Sequence, residues 1–287
     1  MITVLDYDHS KKVIAQACAI TFLGNASNRL QQDAFFFLDH WYQEDLGMMA
    51  VTSVIAPFCL AVSDGVASSN YSQHCSKAVV KAIKTLWDDK QSRVQNMTSD
   101  RIYSQLSQAQ HPSKRYGAAA TLAMIVGTLN DNQSVKIDIT HVGDSRVYKL
   151  CQRAQQWQCL TRDHNLLNEL IDEQAKQKGQ QVNFDDYNRT GMAGSLYSIT
   201  ECFVLPVDGE ELSSEPPQST KQTISVQAGD SLVICSDGIH DLVPSSEWSL
   251  INSQTNLQHW LQALKKQVYQ SDGNAYDNGT AIVVRFD

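Results

Sequence analysis

An α+β layered sandwich is the fold class this sequence predicts, and three observations carry it. Ala119 to Leu129, Val135 to Val142 and Arg146 to Leu150 are consecutive strand-like runs separated by very short turns. Turns that short imply antiparallel hairpins, not the crossovers of a parallel sheet. Helical periodicity is inserted between groups of strands, the mark of segregated helices and antiparallel sheets. No shift of composition divides residues 1–287, which are expected to form one domain.

In chain order, Val13 to Phe22 alternates loosely as a strand and runs into the turn-rich segment from Gly24 to Asn28, just before Arg29 and the acid Asp33. Ala34 to Leu38 reads as a strand and Gln43 to Ser53 as a weakly patterned hairpin or loop. Phe58 to Gly65 is an apolar strand ending in Ser63-Asp64-Gly65. Cys75, Val79, Ala82, Ile83 and Leu86 then recur at helical spacing, with Ser69 or Asn70 as the expected N-cap. A second helix is expected from about Ser99, with Ile102, Leu106 and Ala109 on one face, ending near Pro112.

After the three strand runs, Leu166, Leu167, Leu170 and Ile171 share a helix face that should stop near Gly179. Residues 180–222 carry glycines, prolines and acids without clear periodicity and are expected to be a long functional excursion. Thr223 to Val226, Ser231 to Cys235, a helix from Leu257 to Tyr269 and a last strand from Thr280 to Phe286 complete the body.

The chain has 287 residues, 42% of them hydrophobic and 19% charged, an ordinary balance for a globular protein. No apolar run reaches the roughly 18 residues that span a bilayer, and the N-terminus lacks a basic region followed by an apolar stretch. A cytoplasmic protein is expected. The net charge of −8 disfavours nucleic acid and anionic membrane as partners. Seven scattered cysteines with no Cys-x-x-Cys pair are expected to be reduced core thiols, not disulfides or a zinc site.

The chemistry sits at strand ends. Leu232 to Cys235 is a short apolar strand that delivers Asp237 into the turn Ser236-Asp237-Gly238, repeating the design of Ser63-Asp64-Gly65. Val142-Gly143-Asp144-Ser145-Arg146 and Asp277-Asn278-Gly279-Thr280 add two more acids at strand boundaries. Hard divalent cations such as Mg2+ and Mn2+ prefer oxygen ligands, and Mg2+ keeps several waters, so a few carboxylates per ion suffice. Asp64, Asp144, Asp237 and Asp277 with one glycine carbonyl are enough for two ions. Two such ions about 3.5–4 Å apart can activate a bridging water and hold both oxygens of a phosphoryl displacement, so no protein nucleophile is required. Arg29 is the candidate for binding the phosphate, because its planar fork matches phosphate oxygens. Arg146, which shares a strand face with Asp144, is expected to pair with its neighbour.

These motifs, in this order, resemble the metal-dependent Ser/Thr protein phosphatases of type 2C in their bacterial form. The resemblance runs through Arg29 with Gln32-Asp33, Val62 to Gly65, Gly117 to Thr121, Val142 to Arg146, Leu160 to His164, Ser236 to Gly238 and Asp277 to Thr280. It implies a four-layer αββα sandwich of two antiparallel sheets flanked by helices, with a two-metal centre at one end. It further implies that Asp64 bridges two Mn2+ or Mg2+ ions, that the Gly65 carbonyl binds one, and that Asp237 and Asp277 bind the other. Asp144, with Asp237, would serve a third, weaker position; Asp33 would hold metal-bound water and Arg29 the substrate phosphate.

The implied activity is hydrolysis of phosphoserine and phosphothreonine in proteins, opposite a cognate Ser/Thr kinase, with residues 180–222 in the place of a flap. The chain departs from the family pattern at three points. Asp64-Gly65-Val66 is followed by Ala67 and Ser68 where two glycines are usual. Arg29 lies one residue closer to Asp33 than in the usual spacing, and Gln31-Gln32 stands where Asn-Glu is common. Residues 180–222 are longer and more acidic than the usual flap. The alternatives are a catalytically weak or inactive module that binds a phosphoprotein or regulates a kinase, and a hydrolase of small phosphate esters. Asp163 and His164 are expected to cap and pack a helix, and His240 to be exposed.

Overall fold

The computed structural model describes residues 13–25, 30–109, 111–130, 134–179, 195–205, 215–271 and 276–287. The strands are β1 Val13–Phe22, β2 Ala34–Phe37, β3 His40–Tyr42, β4 Gly47–Met48, β5 Thr52–Ile55, β6 Phe58–Ser63, β7 Ala119–Ala120 and β8 Leu122–Leu129. They continue with β9 Val135–Val142, β10 Arg146–Cys151, β11 Gln156–Cys159, β12 Phe203–Val204, β13 Thr220–Val226, β14 Ser231–Cys235 and β15 Gly279–Phe286. The helices are α1 Ser72–Asp88, α2 Arg93–Asn96, α3 Ser99–Gln108, α4 Leu166–Lys178, α5 Asp237–His240 and α6 Leu257–Gln270. One sheet runs β13-β9-β8-β6-β2-β3 and the other β11-β10-β14-β15-β1-β4, with β5 also on β1. Their pairings are antiparallel.

The period of two along each strand builds the layers. In β6, Phe58, Leu60 and Val62 enter the core between the sheets, while Cys59 and Ala61 face the helices. In β14, Leu232 and Ile234 point to that same inter-sheet core, and Val233 and Cys235 to the opposite helical layer. Both faces of these strands are covered, so they read as continuous apolar runs without alternation. The helix α1 covers the six-stranded sheet through Cys75, Val79, Val80 and Ile83, with Ile102 and Leu106 of α3 joining it. On the other side α6 lays Leu257, Leu261, Leu264 and Val268 on the seven-stranded sheet. Burying each such side chain stabilises by about 1.5–3 kcal/mol. That exceeds the roughly 1 kcal/mol span of strand propensity, so packing decides the sheets. The result is the four-layer αββα sandwich.

Several expectations are corrected. The turn at Gly143-Asp144 is not a hairpin: β9 pairs with β8 and β13, β10 pairs with β11 and β14, and the chain changes sheet at this point. Residues 43–53 likewise pass from β3 in one sheet to β4 and β5 in the other. α1 has no side-chain cap; Tyr71, in the left-handed region at φ 61°, precedes it. The short α2 and β11 carry too few residues to show a period. Of residues 180–222, 180–194 and 206–214 lie outside the described residues, and the remainder includes β12, paired with β7, and the start of β13. Leu166 and Leu170 of α4 are 37% and 42% exposed. Cys18, Cys59, Cys75 and Cys235 are buried thiols of the core, whereas Cys151, Cys159 and Cys202 are only half-buried.

Candidate metal centre

Strand register brings the acids together. Ala34 pairs with Ser63, which sets Asp33 and Asp64 side by side at one end of the six-stranded sheet. Cys235 pairs with both Ala281 and Arg146, so Asp237, Asp277 and Asp144 emerge near one another at an end of the seven-stranded sheet. Stacking the sheets turns the two groups into one. Burial, then the charges of Asp237 and Asp33, push the Asp64 carboxyl well above the ordinary carboxylate range. Asp237 is raised well above it too, by burial and by the charges of Asp144 and Asp241. Burial raises Asp33 to about 7, against the opposing hydrogen bonds of Asp64, Thr280 and Ser236. Burial and the charge of Asp163 raise Asp144 to about 7.

Hydroxyl residues frame these acids. Ser236 Oγ donates to Asp33 Oδ2 at 2.8 Å and accepts from the Thr280 amide at 3.0 Å. Thr121 Oγ1 accepts from the Asp64 amide at 3.2 Å and shares a 2.7 Å hydrogen bond with Ser145 Oγ, linking the Asp64 and Asp144 turns across the sheets. Asn278 braces the segment before Asp33 from both sides: its Oδ1 accepts from the Gly24 amide at 2.9 Å and its Nδ2 donates to the Leu30 carbonyl at 2.7 Å. Thr121, Ser236 and Asn278 all lie inside motifs recognised in the sequence, yet their partners are distant in the chain. Arg29 lies outside the described residues.

The turn after Asp64 closes without the two family glycines. The Val66 amide donates to the Ala119 carbonyl at 3.0 Å, and Ser69 Oγ donates to the Val66 carbonyl while accepting from the Ala119 amide. Among the described non-glycine residues the positive φ angles fall at Leu38, Tyr71 and Gln155, so residues 66–68 need no glycine freedom. Gly65 bridges Ala120. At Gly238 the requirement is a close approach: a Cβ there would stand 2.0 Å from the Asn278 carbonyl oxygen. The bare backbone lets Asp237 and Asp277 share one end of the sheet.

Arg146 pairs with Asp163, not with Asp144. Its Nε and Nη2 donate to the two Asp163 oxygens at 2.9 and 2.6 Å in a buried fork. The guanidinium, held ionised by that carboxylate despite its burial, is thus committed to structure. Asn165 caps α4, accepting from the Asn168 amide at 2.9 Å, in place of Asp163 or His164. His164 packs as expected, with Nδ1 accepting from the Gly143 amide at 3.1 Å and Nε2 bonded to Thr220 Oγ1 at 2.9 Å. His240 is only 1% exposed, contrary to expectation, because one turn of α5 directs it inward to the Asp144 carbonyl.

A family model described as Protein phosphatase 2C matches residues 26–272. The chain belongs to the protein phosphatase 2C family. It is 28% identical over 160 residues to the serine/threonine phosphatase stp of Listeria monocytogenes, a match covering 53% of this chain and 52% of that protein. This phosphatase 2C chain thus spans about half the length of the curated relatives it matches. The crystal structure of serine/threonine phosphatase Stp1 from Staphylococcus aureus superposes with a TM-score of 0.66 at 20% identity, covering 94% of each chain. The catalytic domain of PstP in complex with 2 manganese ions gives a TM-score of 0.60 at 18% identity, covering 95% of this chain and 99% of that one. At such identities the likeness is one of fold.

The donor set of this phosphatase 2C chain fits hard divalent cations. Asp33 Oδ1, Asp144 Oδ1 and Asp237 Oδ1 are buried with no hydrogen-bond partner. Among the described residues no three His, Cys, Asp or Glu side chains close on one point as a finished shell. Oxygen-only donors in small groups, raised in pKa by burial and by one another, suit ions that take one or two carboxylates each and keep their waters. Among the described residues, no helix is long and apolar enough to cross a membrane.

Proposed function

We propose that this chain is a single-domain, Mn2+- or Mg2+-dependent phosphatase that removes phosphate from phosphoserine and phosphothreonine in proteins. The observation that carries the reading is the meeting of Asp33, Asp64, Asp144, Asp237 and Asp277 at one end of the sandwich, with buried oxygens lacking partners. Asp64 and the Gly65 carbonyl, together with Asp237 and Asp277, would hold two ions, and Asp144 with Asp237 a third. Bound cations would supply Lewis-acid polarisation of the phosphoryl oxygens and a water acidic enough to attack at neutral pH.

The chain's own residues do the rest. Asp33 Oδ2 is fixed by Ser236, leaving Oδ1 to orient the attacking water and accept its proton. Arg29 would bind the substrate phosphate as a bidentate fork. Residues 180–222 would act as a flap that shapes partner choice. On this reading the enzyme works in the cytoplasm on the product of a cognate Ser/Thr kinase, and water attacks phosphorus without a covalent protein intermediate.

The test is hydrolysis of p-nitrophenyl phosphate and of a phosphothreonine peptide with Mn2+, Mg2+ or chelator, with Asp237→Asn as control. Metal-dependent release that the variant loses, while its fold is kept, is the expected result. No release from folded protein under any metal would move the assignment to a non-catalytic phosphoprotein-binding module.

A further inference from the structure

We infer that His240 is a positioning residue: it clamps the backbone of Asp144 to the helical turn that carries Asp237 and so sets the spacing of the third, weaker cation position. The inference rests on the proposed metal-binding role of those two acids.

His240 closes α5, the four-residue helix that Asp237 opens. Its Nε2 lies 3.1 Å from the Asp144 carbonyl oxygen. A carbonyl only accepts, so Nε2 carries the hydrogen and donates. The Nδ1 edge lies 3.1 Å from Asp241 Oδ1. The side chain is 1% exposed, so water does not compete for the contact. The Asp144 turn is therefore gripped from two directions. The main chain of His164 donates to the Gly143 carbonyl at 2.8 Å on one side, and His240 reaches the next carbonyl on the other.

The grip fixes the separation of the two acids, because the Asp144 carbonyl is tied to the short helix that begins at Asp237. Gly143, at φ 93°, sits just before Asp144 and leaves the corner between β9 and β10 conformationally permissive. Without a donor at His240 the Asp144 carbonyl loses its partner, and the turn can swing its carboxylate away from Asp237. The residue released when the clamp is lost is Asp144, which is assigned to the third position only, so the effect falls first on the weakest ion.

The experiment is Mn2+ titration of the metal-free full chain, with free Mn2+ counted by electron paramagnetic resonance, for the wild type and for His240→Leu, His240→Gln and His240→Asn. A glutamine amide nitrogen reaches to the place of Nε2, whereas that of asparagine stops near Nδ1. The expected result is that the weakest bound Mn2+ is at least tenfold weaker in the Leu and Asn variants and within about threefold of wild type in the Gln variant, with the tighter ions unchanged. Equal binding by all four proteins, or uniform weakening of every ion, would overturn the clamp. If the Leu variant fails to fold, the contrast between Gln and Asn decides. Absence of Mn2+ binding by folded wild-type protein would instead overturn the metal reading itself, and the clamp with it.

Discussion

Ser236 and Asp33 stand 203 residues apart in sequence and 2.8 Å apart in space, and the same serine hydroxyl accepts the first amide hydrogen bond beyond Gly279. Ser236→Ala leaves the buried Thr280 amide without its acceptor and removes one of the hydrogen bonds to Asp33, at a cost of about 1–3 kcal/mol. The lost bond also lowered the Asp33 pKa, so that pKa rises in the variant. The acid limb of the pH–rate profile for p-nitrophenyl phosphate is expected to move to higher pH. An unshifted limb in a folded variant would remove Asp33 from the proton-handling role.

Arg146 and Asp163 form a buried bidentate pair, each less than a tenth exposed. Breaking one partner of such a pair costs about 3–5 kcal/mol, because the other charge is left without compensation. Asp163→Asn is expected to lower the denaturation midpoint accordingly. Arg146→Lys should destabilise as well, since an ammonium cannot reproduce the fork, while KM for a phosphopeptide stays unchanged. A raised KM in a stable Arg146→Lys variant would show that this guanidinium meets substrate after all.

Metal-free stability should fall as pH rises. Asp33 and Asp144 titrate near 7 in the folded chain against an ordinary 3.8, so between about pH 4 and 7 the native state binds more protons than the unfolded one. Raising pH through that window therefore removes stability. In chelator, Tm is expected to be higher at pH 5 than at pH 8. Saturating Mn2+ needs the ionised acids, so its stabilising shift in Tm should be larger at pH 8. Calorimetry at both pH values checks both signs, and a Tm in chelator that rises from pH 5 to 8 would count against burial holding protons on Asp33 and Asp144.

Gly238→Ala should be far more damaging than one methyl group suggests. Its Cβ would meet the Asn278 carbonyl oxygen at 2.0 Å, and that atom is backbone, unable to rotate aside. Relief requires either α5 or the residues before β15 to move, which separates Asp237 from Asp277. Loss of turnover together with weakened Mn2+ binding is the expected outcome. Wild-type Mn2+ affinity in the alanine variant would show that the two turns need not touch.

The sequence by itself determined the long elements, since apolar period and turn residues are local properties. β6, β14 and β15 announce themselves as apolar runs, β1 by loose alternation, α1 and α6 as helical faces, and Gly179 ends α4 with φ 64°, as a glycine there should. It also determined the strand-end aspartates, because Asp-Gly after an apolar strand is a contiguous signal. Short pieces such as α2 and β11 offered no period to read.

Only the tertiary structure decided which sheet each strand joins. Nothing local distinguishes a hairpin at Gly143-Asp144 from a change of sheet, because both need the same tight turn; the choice depends on β14, some ninety residues on, pairing with Arg146 to Leu150. Partners followed the same rule. Arg146 met Asp163 and not its near neighbour, and His240 turned inward to Asp144. A side chain's hydrogen bond is set by what packing places within about 3 Å, and sequence spacing measures that distance only within one strand or helix.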